Sequence, residues 1–315
     1  MAKTRIVFST DVHGSELYWR KWMKSGEYYK ADVIIMAGDL TGKAIIPIFK
    51  KGGEYEYTLV DKKFKVKGDD ELNKTLEEIR LKGFYPFLTT IEEAKELQRN
   101  KNKLDALFNQ LMVEGIDRWM NLIENNVDEK IQVIVNPGND DIFEIDDIIK
   151  KHSRIIYPID KVVTISEKYE MITCAWVNPT PWKSPRECSE EELKEKIQKQ
   201  INKLTNFENA LFNFHSPPAN THLDIAPALD KTLKQKTSLG APEMTHVGSL
   251  AVREAIEKHQ PLLGLHGHIH ESAGTHKIGR TICLNPGSKY TAGAFSAYII
   301  DLSDGEVKFW PTTEL

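Results

Sequence analysis

Cysteine is scarce in this chain. Cys174, Cys188 and Cys283 are the three among 315 residues. An odd count with no C-x-x-C spacing encodes neither a disulfide framework nor a thiolate metal site, and it fits a reducing compartment. Long apolar runs are missing too: none approaches the roughly 20 residues needed to span a bilayer. The opening MAKTRIVFST enters a strand without a signal-peptide pattern, so the expectation is a cytoplasmic protein with no membrane partner. Nor does one sign of charge dominate. The 42 basic and 46 acidic residues leave a formal net charge of -4, which offers no global attraction for nucleic acid. No repeat, low-complexity tract or flexible linker forces a second domain. With 40% hydrophobic and 28% charged residues, the chain reads as a soluble globular protein, expected to be one domain over 1–315.

What the chain does contain is a set of short polar signatures, each closing an apolar run. They are Asp11-Val12-His13, Gly38-Asp39, Gly138-Asn139-Asp140, His215 and Gly267-His268-Ile269-His270, after RIVFST, VIIMAG, IQVIVNPG, NALFNF and LLGL. Runs that are β-branched and nearly continuous are those of strands buried on both faces. The signatures are therefore expected at the carboxyl ends of strands, the edge where loops of an open α/β sheet converge on a ligand.

The chain opens β-α-β, with a helix expected through Trp19 and Trp22. Alternation over Glu54 to Val60 and Phe64 to Lys67 predicts a hairpin around Asp61-Lys62-Lys63. Thr90 and Glu93 have capping-box spacing and predict one long helix towards Asn125. The β-α rhythm resumes at Ile131, so residues 43–130 read as a mainly helical insertion, either a cap over the site or a solvated structural hairpin. Ser189 and Glu192, again with capping-box spacing, begin a helix expected to run to about Leu204.

Residues two apart on an extended segment point the same way, so Asp11 and His13 can bind one ion together, and His268 and His270 can likewise project to one side. Imidazole, carboxylate and one amide oxygen, without thiolate, suit borderline to hard divalent ions such as Mn, Fe, Zn, Co or Ni. Asp39 is the natural bridge, because a carboxylate's two oxygens can hold ions about 3.5 to 4 Å apart.

These residues resemble the calcineurin-like metallophosphoesterases, whose pattern is DxH, GD, GNH[DE], H and GHxH. The resemblance implies an α/β fold, a four-layer α/β/β/α sandwich with two central mixed β-sheets. It also implies one ion held by Asp11, His13, Asp39 and His270, and another by Asp39, Asn139, His215 and His268. PGND at 137–140, TPWKSPRE at 180–187, HVGS at 246–249 and NPGS at 285–288 look like the Icc-related group of predicted phosphoesterases. One departure matters: Asp140 stands where the family has the histidine that contacts phosphate and protonates the leaving group. An ionised carboxylate there repels phosphate, and nearby cations hold it ionised. Asp141 is expected to start the next helix.

The function implied is a two-metal phosphoesterase in which a metal-bridging hydroxide attacks phosphorus. A phosphodiester, nucleotide or small organic, is favoured because it brings less charge beside Asp140. Asn139, Asp140 and His246 are the candidate catalytic residues, His246 because it precedes a helix start whose N-H groups could meet an anion. His222 is a lesser candidate, Trp182 a possible stacking wall, and Ser288 a residue able to reach the edge of the site. The alternatives are a non-catalytic scaffold on the same fold and a nuclease. The scaffold has no need of seven convergent donors, and the nuclease lacks an evident basic and aromatic surface.

Overall fold

The computed structural model describes residues 3–303 and 305–312. Two six-stranded sheets form its centre. The first runs in the order Glu306–Thr312, Ala297–Ser303, Thr4–Ser9, Val33–Ala37, Gln132–Asn136, Ile155–Ile156. The second runs Gly274–Ile278, Thr281–Asn285, Leu263–Leu265, Ala210–Phe214, Tyr169–Cys174, Val163–Ile165. Each is mixed. Within each sheet the strands that precede the polar signatures are parallel to one another, with Ile6 beside Val33, Val33 beside Gln132, and Leu211 beside Leu263.

Side-chain alternation along these strands supplies three separate cores. Ile6, Phe8, Val33, Ile35 and Ile134 point inward and meet Met171, Leu211, Leu263 and Leu265 of the other sheet. Their neighbours Val7, Ile34, Met36, Val133 and Val135 point outward, under Trp19 and Trp22 of helix Glu16–Tyr28 and Ile145 of helix Glu144–Lys151. On the far side, Ile172, Phe212 and Phe214 pack against helices Glu190–Ile201 and Leu250–His259. Three cores separate four layers, helix, sheet, sheet, helix, which is the α/β sandwich expected.

Residues 43–130 divide into two parts. Strands Lys62–Lys67, Glu54–Leu59, Ile45–Lys51 and Tyr85–Thr89 form a sheet, which with helix Gly68–Leu81 encloses a small core around Ile48, Tyr57 and Ile79. The hairpin is present, and strands Ile45–Lys51 and Tyr85–Thr89 extend it into a sheet beside the helices Gly68–Leu81, Ile91–Arg99 and Lys101–Asn126, which make up most of the segment. The long helix is also interrupted. Asn100 ends Ile91–Arg99 and caps Lys101–Asn126, its side chain accepting from Lys103 N at 3.2 Å. The last half of Lys101–Asn126 belongs to the main core, with Trp119 stacked on Trp19 at 4.5 Å. Its Arg118 reaches buried Glu16 at 2.8 Å.

Candidate metal centre

Asp11, His13, Asp39, Asn139 and His215 lie just beyond the carboxyl ends of parallel strands and are each at most 2% exposed. His268 and His270 arrive from the turn after Leu263–Leu265. Asp11, His13 and Asp39 sit on two loops that bond to each other through Asp11 N to Gly38 O, His13 N to Asp39 O and Gly14 N to Leu40 O, at 3.0, 2.9 and 2.8 Å. The donors fall into two clusters, Asp11, His13, Asp39 and His270, and Asp39, His215 and His268, each compact enough to hold a metal ion. Asp39 belongs to both.

His268 and His270 fall in different clusters, as the resemblance implies, rather than projecting to one side as they would on an extended segment. The backbone gives the reason. His268 has φ 68°, as Asp11, His13 and Asp39 have 55°, 41° and 50°. These are left-handed turn residues rather than strand residues, a conformation unfavourable for side chains other than glycine and concentrated at functional sites.

Two orphaned atoms test whether an ion fits. Asn139 Oδ1 and His215 Nε2 are buried and have no hydrogen-bond partner, a state that costs free energy unless something else satisfies it. Their other ends are occupied. Asn139 Nδ2 donates to Asp140 Oδ1 at 3.0 Å and to Ser184 Oγ at 2.8 Å. His215 Nδ1 faces Ala37 O at 3.1 Å. Both free atoms are thus held as ligands would be. Gly138 completes the fit, because a methyl there would collide with Asp39 and His215.

Electrostatics from the protein's own groups show the strain of packing these donors together. Burial opposes charge on His215, but Asp39 Oδ1 at 3.3 Å outweighs it and holds the imidazole up at about 9. Burial pushes His13 down to about 3 and His268 to about 4. Burial also works against the Asp39 carboxylate, yet His215 draws it well below the usual range. Divalent cations would replace this internal pairing.

Asp140 lines the cleft above these donors. Burial and then Asp39 raise its carboxyl to about 6, against the opposing pull of Lys43 Nζ at 2.8 Å. Lys43, which the sequence pattern does not single out, is therefore a cation at the metal edge. Asp141 is not a helix cap. It is fully buried and accepts from Leu40 N, Thr41 N, Thr41 Oγ1 and Gly138 N at 2.8 to 2.9 Å. It locks the Asp39 loop to the Asn139 loop, while the helix begins three residues later at Glu144.

The motif at 180–187 holds Asn139 from the other side. Glu187 accepts from Thr180 and Ser184, backbone and hydroxyl alike, at 2.6 to 2.9 Å. Arg186 donates to Asp141 O and to Asp146. Ser288 Oγ donates to Asp11 O at 2.6 Å, so NPGS staples a ligand loop. Tyr290, also missed in the sequence, packs 4.8 Å from the His13 ring.

A cleft of about 690 Å³ opens over the donors. Its lining includes Pro179, Pro181 and Trp182 from one loop and Ala226, Pro227 and Leu229 from another segment of the chain. From residues 43–130 only Lys43 lines it. His246 lines it as well, with Nδ1 at 2.7 Å from Asp224 Oδ1. The anion site expected beside it is absent, because Glu190 already accepts from Leu250 N and Ala251 N at that helix start, at 3.0 and 2.9 Å. His222 is exposed and packs edge-on to His276.

A stretch of 178 residues, 56% of this chain and 72% of the relative, is 33% identical to the uncharacterized protein MJ1162 of Methanocaldococcus jannaschii. One solved structure aligns over 98% of this chain and 99% of its own, with a TM-score of 0.58 and 16% identity. The protein TT1561 of Thermus thermophilus aligns over the same shares at 0.53 and 13%. At these identities the two structures share a fold with this chain. No family model matches it.

Proposed function

The chain belongs to the family of the archaeal protein MJ1162, and we propose that it is a metal-dependent phosphoesterase acting on a phosphodiester, a nucleotide or another small organic diester. The observation that carries this reading is one carboxylate, Asp39, shared by two buried donor clusters on the floor of a cleft of small-molecule size. We assign one divalent ion to Asp11, His13, Asp39 and His270, and a second to Asp39, Asn139, His215 and His268. The nitrogen and oxygen donors suit Mn, Fe, Zn, Co or Ni. Ions bound there supply an activated water and neutralise charge on the phosphate.

The chain's own residues position the ester. Lys43 offers a point charge to a phosphate oxygen and offsets Asp140, 2.8 Å away. That balance tolerates the single charge of a diester better than the roughly two charges of a monoester. The apolar lining from Pro179, Pro181 and Trp182 and from Ala226, Pro227 and Leu229 receives the ester substituents. Lys43 is the one lysine or arginine among the residues lining the cleft, which supports a small substrate over a nucleic-acid strand. The loops that match the Icc-related group at 180–187 and 285–288 act in this reading as supports for the ligands.

The test is to strip the protein of metal, restore each ion separately, and compare bis-p-nitrophenyl phosphate with p-nitrophenyl phosphate. Turnover should require the ion and favour the diester. Equal turnover by rigorously metal-free protein would sink the reading, and a monoester preference would sink its diester part.

A further inference from the structure

Between the ligand His215 and the helix Leu250–His259, the chain builds a second constellation that uses none of the metal donors. Strands Ile225–Pro227 and Met244–His246 pair antiparallel, with Ile225 opposite His246. The pairing places His246 beside Asp224. Asp224 is fully buried and accepts from Asn220 N, Thr221 N and Gly248 N at 3.0, 2.9 and 3.0 Å. Its remaining contact is His246 Nδ1 at 2.7 Å. Gly248 is required there, since a methyl would collide with Asp224 and Pro217 O. A carboxylate so fully bonded fixes the ring that leans on it through Nδ1 and leaves Nε2 as the nitrogen available for proton transfer. The His246 side chain is 47% exposed and lines the same cleft as Asp39, Asp140, His268 and His270. It belongs to neither donor cluster.

We propose that His246, held by Asp224, is the catalytic residue that protonates the leaving oxygen, doing from elsewhere in the cleft lining what the position of Asp140 does not. This rests on the phosphoesterase reading above. Asp140 is unsuited to the task because Oδ1 accepts from Asn139 and Oδ2 pairs with Lys43. In the step, a water oxygen bonds to phosphorus and releases its proton to solvent. The bond from phosphorus to the leaving oxygen breaks, its electron pair stays on that oxygen, and the proton on His246 Nε2 moves to it. Solvent then restores the imidazolium. Asp224 is a positioning residue that keeps Nε2 aimed and stabilises the charged ring. The other charged or titratable groups sharing the cleft with His246 are Asp39, Lys43, Asp140, His268, His270 and Glu271.

The experiment is a leaving-group series of phosphodiesters, from p-nitrophenyl to alkyl, on the wild-type chain, His246→Gln and Asp224→Asn at matched metal content. His246→Gln should lose about 100-fold or more on alkyl esters, the usual worth of a general acid, and about tenfold or less on p-nitrophenyl esters. Its rate should depend more steeply on leaving-group pKa than that of the wild type. Asp224→Asn should lower kcat more than it raises KM. Imidazole added to His246→Gly should restore alkyl-ester turnover, which no structural role for the ring predicts. Parallel leaving-group slopes in wild type and His246→Gln would overturn the dyad alone. No hydrolysis of any ester by metal-loaded wild type would overturn the phosphoesterase reading with it.

Discussion

The floor and the walls of the cleft are built in opposite ways. On the floor, five of the seven proposed ligands are at most 2% exposed. Their loops are bolted together by Asp141, Ser288 and the 180–187 motif. On the walls, Trp182 is 61% exposed, and strand Met244–His246 pairs with one short partner, outside both central sheets. The floor packs carboxylates and imidazoles that pair with one another and are pre-placed before an ion arrives. The walls meet a substituent whose shape varies, and they need only apolar surface and one aimed proton. Rigid scaffold below and exposed loops above is how a fold keeps its chemistry while changing its substrate.

The largest expected effect comes from breaking the floor at its shared point. Asp39→Ala should remove more metal than the loss of any other ligand, and activity should fall by about 1000-fold or more, since the worth of both ions is lost together. Elemental analysis showing two ions retained in that variant would break the assignment of Asp39 as a bridge. The pH dependence of loading is expected next. His215, raised to about 9 by Asp39 once burial is outweighed, carries a proton that an ion must displace. The sign follows: in the ion-free protein the His215–Asp39 pair stabilises the fold fully below the ordinary imidazole value of 6.5, and that stability is lost as pH rises through about 9. Loading therefore competes with protonation below about 9. Affinity should fall about tenfold per pH unit from 9 towards 7. Calorimetry at pH 7.5 in two buffers of different ionisation heat should register proton release, and equal heats would count against it.

Much of the floor was legible in the sequence because buried strands leave near-continuous apolar runs, and a polar pair closing such a run marks a loop that leaves the sheet edge. The four layers were implied only by the family resemblance that those polar pairs carry. What was not legible lies in side chains that bond backbone far away in sequence. Asp141 reaches Leu40 across 101 positions, and no period or spacing announces such a bond. Asn100 interrupts a helical apolar pattern without disturbing it, since it serves as cap to the next helix. The spacing of His268 and His270 would align the two rings only on an extended strand, whereas His268 has a positive φ and the rings fall in different clusters. Lys43 and Tyr290 carry no motif, and only the convergence of loops places them at the site.

Glu187 sharpens the comparison, because it sits behind a wall yet acts on the floor. It fixes Ser184, which fixes the amide of Asn139. Glu187→Ala should free that amide to turn and weaken metal affinity about 10- to 100-fold, the usual reach of a residue supporting a ligand. Asn139→Ala made on top of it should then cost less than it does alone, since coupled residues are not additive. Additive losses in metal titrations would separate the 180–187 motif from the floor.

The smallest effect belongs to the wall proper. Trp182 donates its backbone N-H to Thr180 Oγ1 at 3.1 Å while its ring stands free at the cleft. Replacing the ring with alanine leaves that backbone bond available, so the loop should keep its shape and the floor its ions. What is lost is one face for an aromatic ester group, about 1 kcal/mol, or roughly fivefold in KM. The loss should appear for aryl and nucleoside diesters and vanish for methyl esters, with metal content and kcat on the smallest esters unchanged. If Trp182→Ala instead lowers metal occupancy, the division between a fixed floor and an adaptable wall fails at the place where the wall is most exposed.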